Sequence, residues 1–157
     1  MSNTQNINPK QTLAVNGEAV PLAEFNQDTF LQSNKKTTTD YRAAFAQAIG
    51  TTGTIAKIVK MAFGTAGEVD GQGNPAPPTD NGPLNNVVLT KNIKEVTYPV
   101  ETSVCFEAEI EAGDYTGNIN EVALIDEEER TAAKMRLLTS KGIDAESGAI
   151  FKWTVEF

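Results

Sequence analysis

From residue 103 onward, polar and apolar residues alternate with a period of two. Val104, Phe106, Ala108 and Ile110 fall on one side, and Cys105, Glu107, Glu109 and Glu111 on the other. That pattern predicts a strand with an inward and an outward face. Residues 119–125 read as the next strand. Residues 132–138 return, with Ala133, Met135 and Leu137 on one side. The closing stretch sets Phe151, Trp153, Val155 and Phe157 against Lys152, Thr154 and Glu156. Upstream, residues 55–63 place Ile55, Val59, Met61 and Phe63 on one side together with Lys57, and residues 87–90 and 94–98 read as two short strands. Turns are expected at Ala112-Gly113-Asp114, at the acidic run 126–130, and at a polar turn holding Lys141-Gly142. One covered face and one wet face is the mark of antiparallel sheets.

Residues 41–49 break the pattern. They are rich in Ala and Gln, Thr39 or Asp40 is placed to cap them, and Gly50 stands where a helix-ending glycine belongs. Tyr41, Phe45 and Ala48 or Ile49 share one face of that predicted helix. The expected fold is mainly β with an α contribution (α+β): an antiparallel β-sandwich or open barrel, one short helix packed on it, and an extended N-terminal arm. The arm covers residues 1–35, where Gly17 and Pro21 interrupt apolar residues that follow no sustained period. The domain covers residues 36–157. Within it, residues 64–86 form a long irregular loop holding five Gly and four Pro, including Pro77-Pro78. Loops of that length in a compact domain are usually functional or mobile.

Composition narrows the function. The 157 residues suit one domain, and 39% hydrophobic with 22% charged residues can support a core. A formal net charge of −8 disfavours sequence-independent nucleic-acid binding and attachment to anionic membrane. Residues 1–11 lack the basic and apolar regions of a signal peptide, and the most apolar short stretch, 55–63, is too short to span a bilayer. Cys105 is the single cysteine, so no intrachain disulfide or thiolate metal cage is expected. There is no histidine, which removes the Ser-His-Asp and Cys-His nucleophilic systems and every His-ligated metal site. The expectation is a protein that is not an enzyme and takes no cofactor or metal.

Several segments invite chemistry and read more simply as structure. Residues 70–74, DGQGN, have the look of a calcium loop but lack the later bidentate Glu. Trp153 and Phe151 could stack on a sugar, but at strand period beside Val155 they read as core or interface. Asn120 reads as a backbone hydrogen-bonding residue, and Glu121 as one on a wet face or paired with Lys. Twenty-one acidic residues will contain some pair at glycosidase spacing by chance.

The order of the segments carries a resemblance. MAFGT at 61–65 is followed by the Gly/Pro loop, PLNNV at 83–87, IKEVTY at 93–98 and VCFEAEI at 104–110. NINEVALID at 118–126 comes next, and FKWTVEF at 151–157 closes the chain. From about Thr39 to Phe157 this resembles the phage tail-collar fibre domain, the N-terminal module of many tail fibres from contractile-tailed phages and related injection particles. Membership implies a virion structural role, assembly in the host cytoplasm, and attachment of a fibre to the tail or baseplate. It also implies a homo-oligomer, with trimers expected, and protein partners drawn from tail, baseplate or a separate fibre protein. The long receptor-binding region that usually follows does not occur before Phe157, which points to an adaptor or baseplate component. Asp126-Glu127-Glu128-Glu129 replaces a glycine-containing turn common in that family. The candidate interface residues are Phe25, Phe30 and Leu31 in the arm, Pro77 and Pro78 in the loop, and Glu127, Glu128 and Glu129 at the acidic tip. The alternative expectation is a carbohydrate-binding or capsid decoration module on the host surface.

Overall fold

The computed structural model describes residues 35–65 and 78–157. The order is strand β1 (Lys35–Thr37), helix α1 (Thr39–Gln47), a π-helical turn (Ala48–Thr52), then β2 (Ile58–Gly64), β3 (Val87–Asn92), β4 (Glu95–Thr97), β5 (Ser103–Ile110), β6 (Gly117–Asp126), β7 (Thr131–Ile143) and β8 (Ala149–Glu156). Every strand pairing is antiparallel. Five strands form one sheet in the order β1-β7-β6-β2-β3, and three form a second in the order β4-β5-β8. The fold is thus the expected mainly β arrangement with one short helix.

The chain changes sheet within two residues. The Ile93 N–H donates to the Val59 carbonyl of β2, and the next N–H, at Lys94, donates to the Glu107 carbonyl of β5. Between the sheets lie Met61 and Phe63 from β2, Ile119 and Leu124 from β6, and Ala108 and Ile110 from β5, all nearly or fully buried. Phe63 meets Phe151 with ring centroids 4.7 Å apart. Each large side chain buried there contributes about 1.5–3 kcal/mol.

Local details differ from the pattern reading. The helix cap is Thr38: its Oγ1 accepts from the Tyr41 N–H at 3.3 Å and donates to the Thr131 carbonyl at 2.6 Å. A threonine buried against β7 wins over the exposed Thr39 and Asp40 because its hydroxyl serves both the helix and the sheet. The helix ends late, through the π-helical turn, and Gly53 at φ 73° takes the left-handed position assigned to Gly50. Strand β2 begins at Ile58, and Ile55 lies outside it. Lys141 and Gly142 are paired within β7, opposite Ile119 and Asn118, so the turn comes after Ile143. Cys105, expected on the outer face, is buried at 9% exposure.

Candidate docking surfaces

Covering both faces of the five-stranded sheet has a direct consequence for its charged residues. Residues 78–86 cross the outer face, where Leu84 packs on Ala62 and Ala123 with Ile125 beside them. Beneath the same segment lie Glu121, Lys134 and Arg136, all buried, with Glu121 only 2% exposed. Glu121 and Arg136 are register partners across β6 and β7, and Oε1 of the one stands 3.7 Å from a guanidinium nitrogen of the other. Oε2 of Glu121 accepts the Asn86 N–H at 3.2 Å. Lys134 donates to Thr79 Oγ1 at 2.5 Å and to the Asn81 carbonyl at 2.8 Å. Burial pushes the Lys134 ammonium below its ordinary pKa, while the nearby Glu121 charge works in the opposite direction. Only glycine fits at position 64: a Cβ there would stand 2.6 Å from both the Asn86 carbonyl oxygen and Glu121 Oε2. A cavity of about 10 Å³ remains between this cluster and Pro78, Pro83 and Leu84, close to the minimum for one water. The expectation of Glu121 on a wet face is therefore corrected: the covering segment buries it, with Arg136 opposite and Lys134 close enough to feel its charge.

The acidic tip is built around Asp126, which is fully buried. Its Oδ1 accepts the N–H groups of Glu128 and Arg130 at 2.9 Å, and its Oδ2 accepts Arg130 Nε at 2.8 Å. The three following glutamates are exposed, but each has a partner. Glu127 Oε1 accepts the Lys57 N–H, Glu128 meets Arg130 at 3.2 Å, and Glu129 meets Lys60 at 2.7 Å. Glu129 takes φ 65°, so the tip turns through a left-handed residue that is not glycine.

Between the two sheets, under α1, opens an apolar groove of about 460 Å³. Tyr41, Phe106, Leu124, Ala133, Trp153 and Val155 line it. At its mouth Phe45 stacks on Phe157, centroids 6.4 Å apart. Phe45 is 37% exposed and Phe157 69%. Lys35, Lys36 and Arg42 also line the groove, and among the described residues no Asp or Glu does. Burial lowers the Lys35 pKa, while burial next to Asp126 raises that of Tyr41. The helical face reading of Tyr41 and Phe45 pointed toward this feature, but the groove itself requires the two sheets to be brought together.

Of the candidate interface residues, Phe25, Phe30, Leu31 and Pro77 lie outside the described residues. Pro78 is buried at the cavity above Glu121 and Arg136, and Glu127, Glu128 and Glu129 stand on the surface. Trp153 is buried in the core and groove wall. Asn120 sits where the β6–β7 register shifts, and its Oδ1 is buried with no hydrogen-bond partner among the described residues. Among those residues no three His, Cys, Asp or Glu side chains are grouped to hold a metal, and no helix is long and apolar enough to cross a membrane. Compared with known proteins, the chain matches no family model and no curated protein.

Proposed function

We propose that this protein is a structural component of a phage-type tail or related injection particle, an attachment or baseplate module that works by docking to other protein chains. The groove under α1 carries the reading. It is an apolar concavity of about 460 Å³ with exposed aromatic residues at its mouth, and no acidic side chain lines it among the described residues. Such a surface suits burial under a protein segment, because apolar anchors held in a preformed cavity supply most of the energy of an interface. The order of segments from MAFGT to FKWTVEF supports the tail-collar resemblance independently.

In this reading the protein performs no chemistry and needs no cofactor. It forms homo-oligomers, trimers by analogy with fibres, and contacts tail or baseplate proteins and a separate fibre protein. The arm and the Gly/Pro loop reach neighbouring subunits. Ordering them opposes assembly by on the order of 1–2 kcal/mol per residue, offset by anchors such as Phe25 and Phe30.

Deleting residues 1–34 is expected to leave the domain folded, with an unchanged far-UV circular dichroism spectrum, and to abolish incorporation into assembled particles. Normal incorporation of the truncated protein would overturn the assigned role of the arm. Specific capture of the full chain on a host glycan array would move the assignment to a carbohydrate-binding module.

A further inference from the structure

We infer that residues 78–86 act as a latch on α1. Seated across the outer face they hold the helix at the groove, and lifted they release it, so the groove keeps its helical wall only while that segment is docked. The inference rests on the docking reading above and names what regulates its carrying site.

A helix leaves four N–H groups at its start without acceptors inside the helix. In α1 the Thr38 N–H donates to the Ala132 carbonyl at 2.9 Å, and the Tyr41 N–H donates to Thr38 Oγ1 at 3.3 Å. The crossing segment meets the other two. The Thr39 N–H donates to the Asp80 carbonyl at 3.1 Å, and the Asp40 N–H to Asn81 Oδ1 at 3.0 Å. Half of the helix start is thus capped by residues far along the chain.

The same two residues are tied to the five-stranded sheet. Asp80 Oδ1 meets Lys36 Nζ of β1 at 2.9 Å, and the Asn81 carbonyl accepts Lys134 Nζ of β7 at 2.8 Å. Each bonds the helix through one atom and the sheet through another, so a displacement at the sheet is felt at the helix. Further along, Leu84 packs on Ala62 and Ala123, and the Asn86 N–H donates to the buried Glu121. These contacts seat the segment on β1, β2, β6 and β7 together.

The helix itself is weakly held. It has nine residues, fewer than the roughly 12–15 below which isolated helices are marginal in water, and none of them is buried. Tyr41 packs partly against the core, and Phe45 stacks on Phe157 at the groove mouth. Those two and Arg42 are the groove lining that α1 supplies. Loss of two cap bonds frays the helix from its start and withdraws these side chains from the groove. The coupling is reciprocal, so a partner chain held against them stabilises the seated segment.

The test is amide hydrogen exchange, followed by NMR on the full chain. Asn81→Ala, at an exposed position, deletes one cap acceptor, and Asn81→Asp keeps it. Lys134→Met loosens the segment from β7 without altering a cap atom. Asn81→Ala and Lys134→Met are each expected to speed exchange at Phe45, Ala46 and Gln47 about fivefold, the factor for one lost cap. Phe106 of β5 and Leu124 of β6, central in their sheets, are expected to exchange as in the parent. Asn81→Asp is expected to match the parent throughout, and Asn81→Ala to enter particles about fivefold less efficiently. Unchanged exchange in α1 in both variants would overturn the latch. Equal acceleration at all five amides in Asn81→Ala would overturn it too, because helix and sheets would then open together. Faster α1 exchange with undiminished particle entry would defeat the regulation of docking. An α1 that responds as stated, in a protein whose parent form never enters particles, would uphold the latch and remove the docking reading.

Discussion

A carboxylate only 2% exposed is stable only when its charge and lone pairs are met, and Glu121 meets both needs locally. Arg136 faces it across the ladder, and the Asn86 N–H caps its second oxygen. Removing one member of a buried pair leaves the other charge desolvated and uncompensated, at a loss of about 3–5 kcal/mol. Glu121→Gln is therefore expected to lower the unfolding free energy measured by urea titration by that amount, and Glu121→Leu/Arg136→Met to recover most of it. If the single substitution shifted stability by less than about 1 kcal/mol, typical of an exposed pair, the pair would not be desolvated as described. Gly64 belongs to the same cluster, since the space its missing Cβ leaves is the space Glu121 and Asn86 occupy.

At the level of elements, one ion pair links the sheets through their connections. Lys91 of β3 donates to Asp114, in the turn between β5 and β6, at 2.6 Å. The Lys91 hydrogen bond, aided by the Glu111 N–H, holds the Asp114 carboxyl below the ordinary carboxylate range. The Asp114 hydrogen bond holds the Lys91 ammonium above its own usual value. For Asp114 the folded pKa is the lower one, so its contribution is complete above the unfolded value of about 3.9 and disappears as pH falls through the depressed folded value. For Lys91 the folded pKa is the higher one, so its share holds below about 10.4 and is lost as pH rises through the raised value. Asp114→Asn should thus lower the melting temperature at neutral pH, and the gap to the parent protein should close on acidification below about pH 4. A gap that persisted unchanged into strong acid would assign the effect to packing.

For the molecule as a whole, the two sheets share one main interior, and the small cluster of Leu84, Ala62 and Ala123 lies on the outer face of the same five-stranded sheet. Trp153, the only tryptophan, sits in that interior and also walls the groove. Its fluorescence and the far-UV circular dichroism are expected to report a single coincident urea transition. A tryptophan transition that came first would mean that β8 and the groove open separately from the five-stranded sheet.

Pattern alone determined much of this protein. The strands from β2 to β8, the helix α1 and the acidic tip followed from period-two alternation, an Ala-rich stretch and turn residues, because these are local properties of neighbouring side chains, whereas β1 at Lys35–Thr37 was not expected. The inward faces of β5 and β8 were legible for the same reason: Phe106, Ala108 and Ile110, and later Phe151 and Trp153, recur at alternate positions. Lys134, Met135 and Arg136 look like an ordinary wet-and-dry alternation, and so did Glu121 within its strand. What buries Lys134, Arg136 and Glu121 is residues 78–86, a segment some 35 to 55 residues earlier in the chain, crossing the outer face and fixed by Lys134 contacts to Thr79 and Asn81 and by the Asn86 N–H to Glu121. The cap at Thr38 depends equally on a distant carbonyl, that of Thr131. The groove is the strongest case, assembled from α1 and from strands of both sheets, β1, β2, β6 and β7 on one side and β5 and β8 on the other. Alternation along a strand says which side chains share a face. Only the packing of one sheet against another, and of a loop across an outer face, decides whether that face meets water, core or an opening.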